Sequence, residues 1–373
     1  MNDAPRVVLA PDKFKGSLTA PEVAAALAGG IARVVPGAVI RQVPVADGGD
    51  GTVDAFVAAG WERVEVRAPG PTGVVGPASY ARQGDTAVVE LAAVVGLVKL
   101  PGGQLDPLHS GTHGLGVVIG HALDAGARHI VIGLGGSAST DGGVGMLTAL
   151  GARVFDAQGH ELPSGGAALA DAATLDRTGL HPAVATTRFT LACDVDNPLL
   201  GPTGAVAVYA PQKGANLAQR ATLEAALANW SRVAGPEYAD VPGAGAAGGT
   251  AFGALAFLNA EVRSGIQVVL DLLDFPTLLA GTDLVVTGEG SFDAQSLHGK
   301  APIGVASRAR RADLPVIAAV GRNMLSDNEI QAAGFTACYA LTDLEPDPAR
   351  CMTAAQSLLH RLGEQIAERH LKR

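Results

Sequence analysis

The chain has 373 residues, 48% of them apolar and 17% charged, and carries a formal net charge of −9. That composition describes a well-packed soluble protein of about two domains, and no run approaches the roughly 18 to 20 unbroken apolar residues of a membrane span. The acidic balance argues against nucleic-acid binding, which needs a clustered Lys/Arg face, so any anion must be held by local cations, a metal and backbone N–H groups.

In chain order, short β-branched runs at 6–10, 40–45, 87–91, 129–134, 189–193, 284–287, 316–320 and 337–341 are the predicted strands. Ala-rich segments of helical period lie between them, at roughly 20–35, 51–59, 112–125, 141–151, 216–232, 251–264, 302–311 and 349–369. This alternation predicts an α/β fold. Thr19 with Glu22 makes a capping box, which pins the loop 11–18 between a strand end and a helix start. The Pro/Gly-rich stretch 67–84 is the best boundary signal and 270–281 the second. They predict one domain from residues 1–68 plus 284–373 and a second α/β domain, 69–283, inserted into it. Since the sequence passes from Asp3 and Arg6 straight into a predicted strand, no signal peptide is expected. Cys193, Cys338 and Cys351 are scattered and show no ligand spacing. A disulfide framework or zinc site is therefore not expected, and a reducing cytoplasm is the natural location.

Five loops at strand ends carry the candidate chemistry. In Pro11-Asp12-Lys13-Phe14-Lys15-Gly16-Ser17, two lysines and a hydroxyl precede a helix N-terminus, which favours anions; a solvated turn is the alternative. In Ala46-Asp47-Gly48-Gly49-Asp50-Gly51, Asp47 and Asp50 divide an acid role and an N-cap role. Gly133-Leu134-Gly135-Gly136-Ser137-Ala138-Ser139-Thr140-Asp141 suits a loop wrapping phosphate, or glycine turn chemistry alone. Asp194 leaves an apolar strand in Cys193-Asp194-Val195-Asp196-Asn197-Pro198, where a carboxylate is disfavoured unless paired or working; it is a candidate base or metal ligand, or a turn cap. Lys213, in Pro211-Gln212-Lys213-Gly214, neutralises phosphate or is an ordinary exposed lysine. In Thr287-Gly288-Glu289-Gly290-Ser291-Phe292-Asp293, with Gly299-Lys300 following, two carboxylates and an ammonium suit a phosphate and its divalent cation at the carboxyl end of a strand. Gly243-Ala244-Gly245-Ala246-Ala247-Gly248 lacks a preceding strand and reads as a loop whose backbone closely approaches something. Walker A, protein-kinase and Gly-x-Ser-x-Gly signatures are absent.

Taken together, Lys-Phe-Lys-Gly-Ser-Leu (13–18), Ala-Asp-Gly-Gly-Asp-Gly-Thr (46–52), Gly-Leu-Gly-Gly-Ser-Ala-Ser-Thr-Asp-Gly-Gly (133–143), Ala-Cys-Asp-Val-Asp-Asn-Pro-Leu-Leu-Gly (192–201), Ala-Pro-Gln-Lys-Gly-Ala (210–215), Gly-Ala-Gly-Ala-Ala-Gly-Gly (243–249) and Thr-Gly-Glu-Gly-Ser-Phe-Asp (287–293) with Gly299-Lys300 follow one another in this order. The set resembles the bacterial type 1 glycerate kinase family over nearly the whole chain. The resemblance implies two α/β domains, a Rossmann/flavodoxin-like parallel sheet built from both chain ends and an active site in the interdomain cleft. It also implies ATP- and Mg²⁺-dependent phosphorylation of D-glycerate, usually at the 2-hydroxyl. Phosphoryl transfer needs a held metal, cations on the phosphates and a base at the attacking hydroxyl. The expected catalytic residues are Asp194 as base, Lys15 and Asp47. Glu289 and Asp293 are the expected metal ligands. Lys13, Ser17, Asp50, Gly135, Gly136, Ser137, Asp141, Asn197, Lys213, Gly245, Gly248 and Lys300 are expected to bind substrate or phosphate. The chain departs from the family pattern at Lys13, where Ser is common, Asp50, where Glu is frequent, Ser291, where Arg is frequent, and His113, where an aromatic is more usual. The rival readings are a kinase of another small hydroxy acid and a non-catalytic nucleotide or sugar-acid sensor. Assembly as a homodimer is left open by the sequence.

Overall fold

Every strand predicted from the sequence is present in the computed structural model, which describes residues 4–372. The chain divides into two compact units, one of Met1–Asp47, Asp54–Gly60 and Ile266–Arg373, the other of Gly48–Val53 and Trp61–Gly265. The boundaries fall at 60/61 and 265/266 rather than at 68/69 and 283/284.

The first unit carries a five-stranded, all-parallel sheet in the order Ala337–Ala340, Val316–Val320, Leu284–Gly288, Arg6–Pro11, Val39–Gln42. Its central strands read as unbroken apolar runs because both faces are covered. Val7, Leu9, Val286, Ile317 and Ala319 pack there with helices Ala20–Val34 and Ala355–His370. The capping box of Thr19 and Glu22 forms as expected, with the Thr19 N–H donating to Glu22 at 2.8 Å and the Glu22 N–H to Thr19 Oγ1 at 3.4 Å. From Arg6–Pro11 the chain moves outward to Val39–Gln42, whereas the later strands build out from the other side, through Leu284–Gly288. The order therefore reverses between Arg6–Pro11 and Leu284–Gly288, and the carboxyl ends at such a switch point are where open α/β sheets bind ligands. The stretch 270–281 is no linker: it holds part of helix Gly265–Leu272 and helix Phe275–Leu279, tied to this unit by Arg308 to Asp271 at 2.5 Å and Arg41 to the Leu278 carbonyl at 2.8 Å.

The second unit has a six-stranded mixed sheet, ordered Glu261–Arg263, Arg188–Ala192, His129–Gly133, Thr86–Glu90, Val75–Gln83, Glu62–Pro69. The first four strands are parallel, and the last two form an antiparallel hairpin. That hairpin moves the first boundary. Residues 70–74, whose composition suggests a linker, are its turn, closed by Gly70 N–H to the Val74 carbonyl at 2.8 Å. Glu62–Pro69 consequently belongs to the second sheet and not to the first unit.

Candidate functional site

At the switch point of the first unit, Pro11 and Gly288 are register partners, and Asp12 and Glu289 are the next residue of each strand. The Asp12 N–H continues the ladder onto the Gly288 carbonyl at 2.8 Å. Both carboxylates are buried, Asp12 at 7% exposure and Glu289 at 8%. Burial pushes the Asp12 carboxyl up to about 7; the Lys13 ammonium pulls against this and the Asp47 and Glu289 carboxylates add to it. The Lys13 N–H donates to Asp12 at 2.6 Å, and the Lys13 ammonium stands 3.7 Å from the same oxygen. Burial likewise raises Glu289, opposed by Ser296 and Lys300. Glu289 Oε2 faces the Lys300 ammonium at 3.5 Å, whereas Oε1 is buried with no hydrogen-bond partner. An orphaned buried carboxylate oxygen is costly, and it is the kind of atom a bound cation satisfies.

Asp12 is not among the residues expected from the sequence, although its position directly after a strand is an available signal. Lys15 is exposed beside it, and the Lys15 backbone approaches Gly290 closely enough that a Cβ there would lie 3.5 Å from the Lys15 nitrogen. Ser17 points elsewhere: its hydroxyl donates to the Met352 carbonyl at 2.7 Å and ties the loop to the C-terminal region of the same unit. Asp293 is engaged in its own loop, accepting from Ser291 Oγ at 3.3 Å and from the Gln295 N–H at 3.0 Å. Thus the structure gathers Asp12, Lys13, Asp47, Glu289 and Lys300, with Asp293 organising the adjoining turn.

The expected residues of the second unit separate into two groups. Asp50, Gly135 and Gly136 lie at the carboxyl end of His129–Gly133 and remain partly or fully exposed. A Cβ on Gly135 would lie 2.5 Å from the Gly49 Cα, and one on Gly136 would lie 2.7 Å from Asp50, so these glycines let loops 48–50 and 133–136 pack together. Asp194, exposed after Arg188–Ala192, accepts the Gly265 N–H at 2.9 Å.

The others face inward. Ser137 is buried and bonded to Ser139, and Asn197 donates to the Thr203 carbonyl at 2.8 Å and accepts from Tyr209 at 2.5 Å. Asp141 is fully buried and accepts Thr112 N–H and Oγ1 at 2.8 Å each, Gly145 N–H at 3.1 Å and Gly143 N–H at 3.2 Å. Burial raises its carboxyl nonetheless, with those four donors opposing the rise. Lys213 is no exposed lysine: it is 2% exposed and donates to the Ser139 carbonyl at 2.5 Å. Burial lowers its ammonium to about 7 against the pull of Asp141. Gly245 and Gly248 approach protein backbone, since a Cβ on either would sit 2.2 Å from the Pro198 carbonyl oxygen or 2.1 Å from that of Ser139. The backbone closeness read from their sequence is real, and its partner is the chain itself.

Strand-end carboxylates with adjoining lysines, at the switch point of a parallel sheet, place charges of both signs where open α/β enzymes bind their ligands. The particular family follows from likeness to known proteins. The model of the glycerate kinase family matches residues 7–371. The chain is 43% identical over 343 residues to a glycerate kinase of Bacillus subtilis strain 168, covering 90% of each. It is 44% identical over 324 residues to the glycerate 2-kinase of Escherichia coli K12, covering 85% of each. A crystal structure from Salmonella typhimurium LT2, provisionally assigned as glycerate kinase 2, superposes with a TM-score of 0.84 at 41% identity over 98% of both chains. The chain belongs to the glycerate kinase family. Among the described residues no helix is long and apolar enough to cross a membrane.

Proposed function

We propose that this chain transfers the terminal phosphoryl group of ATP to the 2-hydroxyl of D-glycerate, releasing ADP and 2-phospho-D-glycerate. Kinase-family membership supplies ATP as donor, and the name of the E. coli relative favours the 2-hydroxyl. The observation that carries the reading is the buried Asp12–Glu289 pair at the switch point, with Lys13 and Lys300 alongside and Glu289 Oε1 unsatisfied. Phosphoryl transfer rests on positioning and charge neutralisation, and this cluster offers both signs of charge in one place.

Mg²⁺ fits this cluster. The described residues hold no group of three His, Cys, Asp or Glu side chains arranged for a metal. Mg²⁺ is commonly held by only one or two carboxylates, with substrate phosphates and water completing its shell. Glu289 and Asp12 are the carboxylates placed to hold it; Asp293, whose oxygens already accept two bonds, holds the turn that presents them. Bound there, Mg²⁺ would neutralise charge on the transferring phosphate. Lys300 and Lys13 place ammonium groups beside the same carboxylates, and Lys15 adds an exposed one in the same loop. Asp194, at the end of its strand, takes the proton of the attacking hydroxyl.

The deciding experiment is ADP release with and without D-glycerate, followed by identification of the phosphorylated product by NMR. Release that does not depend on D-glycerate refutes the reading, and a product phosphorylated at the 3-hydroxyl refutes the regiochemistry.

A further inference from the structure

Beyond Val320 the backbone of the first unit runs on beside the Glu289 loop. The Gly321 N–H donates to the Glu289 carbonyl at 3.0 Å and the Arg322 N–H to the Gly290 carbonyl at 3.1 Å. Ser291–Phe292 and Arg322–Asn323 then form a two-residue parallel pair past the carboxyl edge of the main sheet. From this shelf Arg322 Nε donates to Ser291 Oγ at 2.9 Å, and Ser291 Oγ donates onward to Asp293 Oδ2 at 3.3 Å. Ser296 joins the same net, receiving the Asp293 N–H at 3.1 Å and donating to the Ser291 carbonyl at 3.3 Å. The guanidinium is thus fixed to the loop that carries Glu289.

We propose that Arg322 is an anchor for a phosphate group of the bound nucleotide, oriented by Ser291. This rests on the kinase reading of the same site. Arg322 is exposed and pairs with no carboxylate among the described residues, so its charge is not consumed within the protein. With Nε occupied, both terminal amino groups of the planar fork remain for a tetrahedral oxyanion, the geometry that guanidinium matches in a bidentate fashion. Stability alone is a poor reason for this arrangement, because one solvent-exposed hydrogen bond from a guanidinium to a neutral hydroxyl scarcely offsets the rotamer freedom a fixed arginine gives up. Lys13 suits such a role less well, because its ammonium leans on Asp12 and its side chain is 22% exposed. Arg322 also has no signal in the sequence, since it follows a strand whose loop carries no other charged group until Asp327.

The test compares Arg322→Gln, Arg322→Lys, Ser291→Ala and the exchange Ser291→Arg with Arg322→Ser. ATP affinity is read by calorimetry, and the KM values for ATP and D-glycerate and the thermal midpoint are measured alongside. Arg322→Gln is expected to weaken ATP by about tenfold or more, with Arg322→Lys recovering only part of the loss, because lysine cannot present the fork. Ser291→Ala should give a smaller loss of the same kind, while the exchange variant should return toward wild type, as it restores a guanidinium to the pair. Midpoints and the KM for D-glycerate should stay close to wild type. ATP affinity within about twofold of wild type in Arg322→Gln overturns the proposal, as does a loss confined to D-glycerate or a wild-type chain that binds no ATP. A wild type that binds ATP but leaves D-glycerate untouched removes the proposed substrate, and the calorimetric comparison then still decides Arg322.

Discussion

Thr112 donates both its backbone N–H and its hydroxyl to the Asp141 carboxylate, each at 2.8 Å, while that hydroxyl accepts the Met146 N–H at 2.8 Å. One buried carboxylate thereby serves the starts of helices His113–Asp124 and Val144–Ala149, where negative charge opposes the positive end of the helix dipole.

Asp141→Ala would orphan Thr112, Gly143 and Gly145 donors in the interior. The expected cost is at least about 3 kcal/mol, read as a lower urea midpoint, with Asp141→Asn losing less because it keeps an acceptor. An unchanged midpoint in Asp141→Ala would mean the carboxylate is not structural.

Lys213 sets a pH dependence of stability. Its folded-state ammonium releases its proton near 7, against an ordinary value of 10.5. Between those values the unfolded chain binds more protons than the folded one, so this group makes stability rise with pH across that window. Lys213→Met should flatten the rise relative to wild type in urea titrations at about pH 7, 8 and 9. Parallel curves for the two proteins would contradict the burial of a titrating lysine.

Glu289→Gln keeps the shape of the side chain and removes its charge. Turnover should fall by roughly a hundredfold or more, the scale of losing one electrostatic group at a transition state, and the Mg²⁺ concentration for half-maximal rate should increase. Its thermal midpoint should not drop, because a buried carboxylate raised by desolvation is a burden to the fold. Wild-type turnover, or a collapse in stability, would assign Glu289 a purely architectural role. Asp12→Asn is expected to behave in the same direction.

Asp194→Asn tests the proposed base. A loss of about a hundredfold or more in turnover is expected, in line with general-base contributions, with ATP affinity retained. If turnover persists at the wild-type level, the carboxylate has a structural role, of which holding the Gly265 N–H is a part.

Apolar runs such as 316–320 and the capping pair Thr19 and Glu22 are legible in the sequence because strand burial and capping are local properties, and both stand in the structure where expected. The hairpin Glu62–Pro69 with Val75–Gln83 is not, since Pro69, Gly70, Pro71, Gly73 and Pro77 look alike in a linker and in an edge hairpin; only pairing partners tell them apart. The same limit applies to charge. Lys213 and Lys300 both sit in glycine-containing motifs, yet one is enclosed against Ser139 and the other pairs with Glu289 at the switch point. Asp12 is masked in the sequence by Lys13 and Lys15, which suggest an anion loop, while its burial depends on a strand that arrives far later in the chain.

Strand Arg6–Pro11 finds its neighbour Leu284–Gly288 only near the far end of the chain. During synthesis the second unit, almost wholly contained in Trp61–Gly265, can condense while the edge of the opening strand opposite Val39–Gln42 still lacks its partner. The Asp12–Glu289 pair cannot form before residue 289 has been made, so a nascent chain that stops before residue 284 carries Asp12 and Lys13 without Glu289 and Lys300, and lacks half of the proposed site. So long a sequence separation between paired strands is the kind of contact that slows folding across protein families.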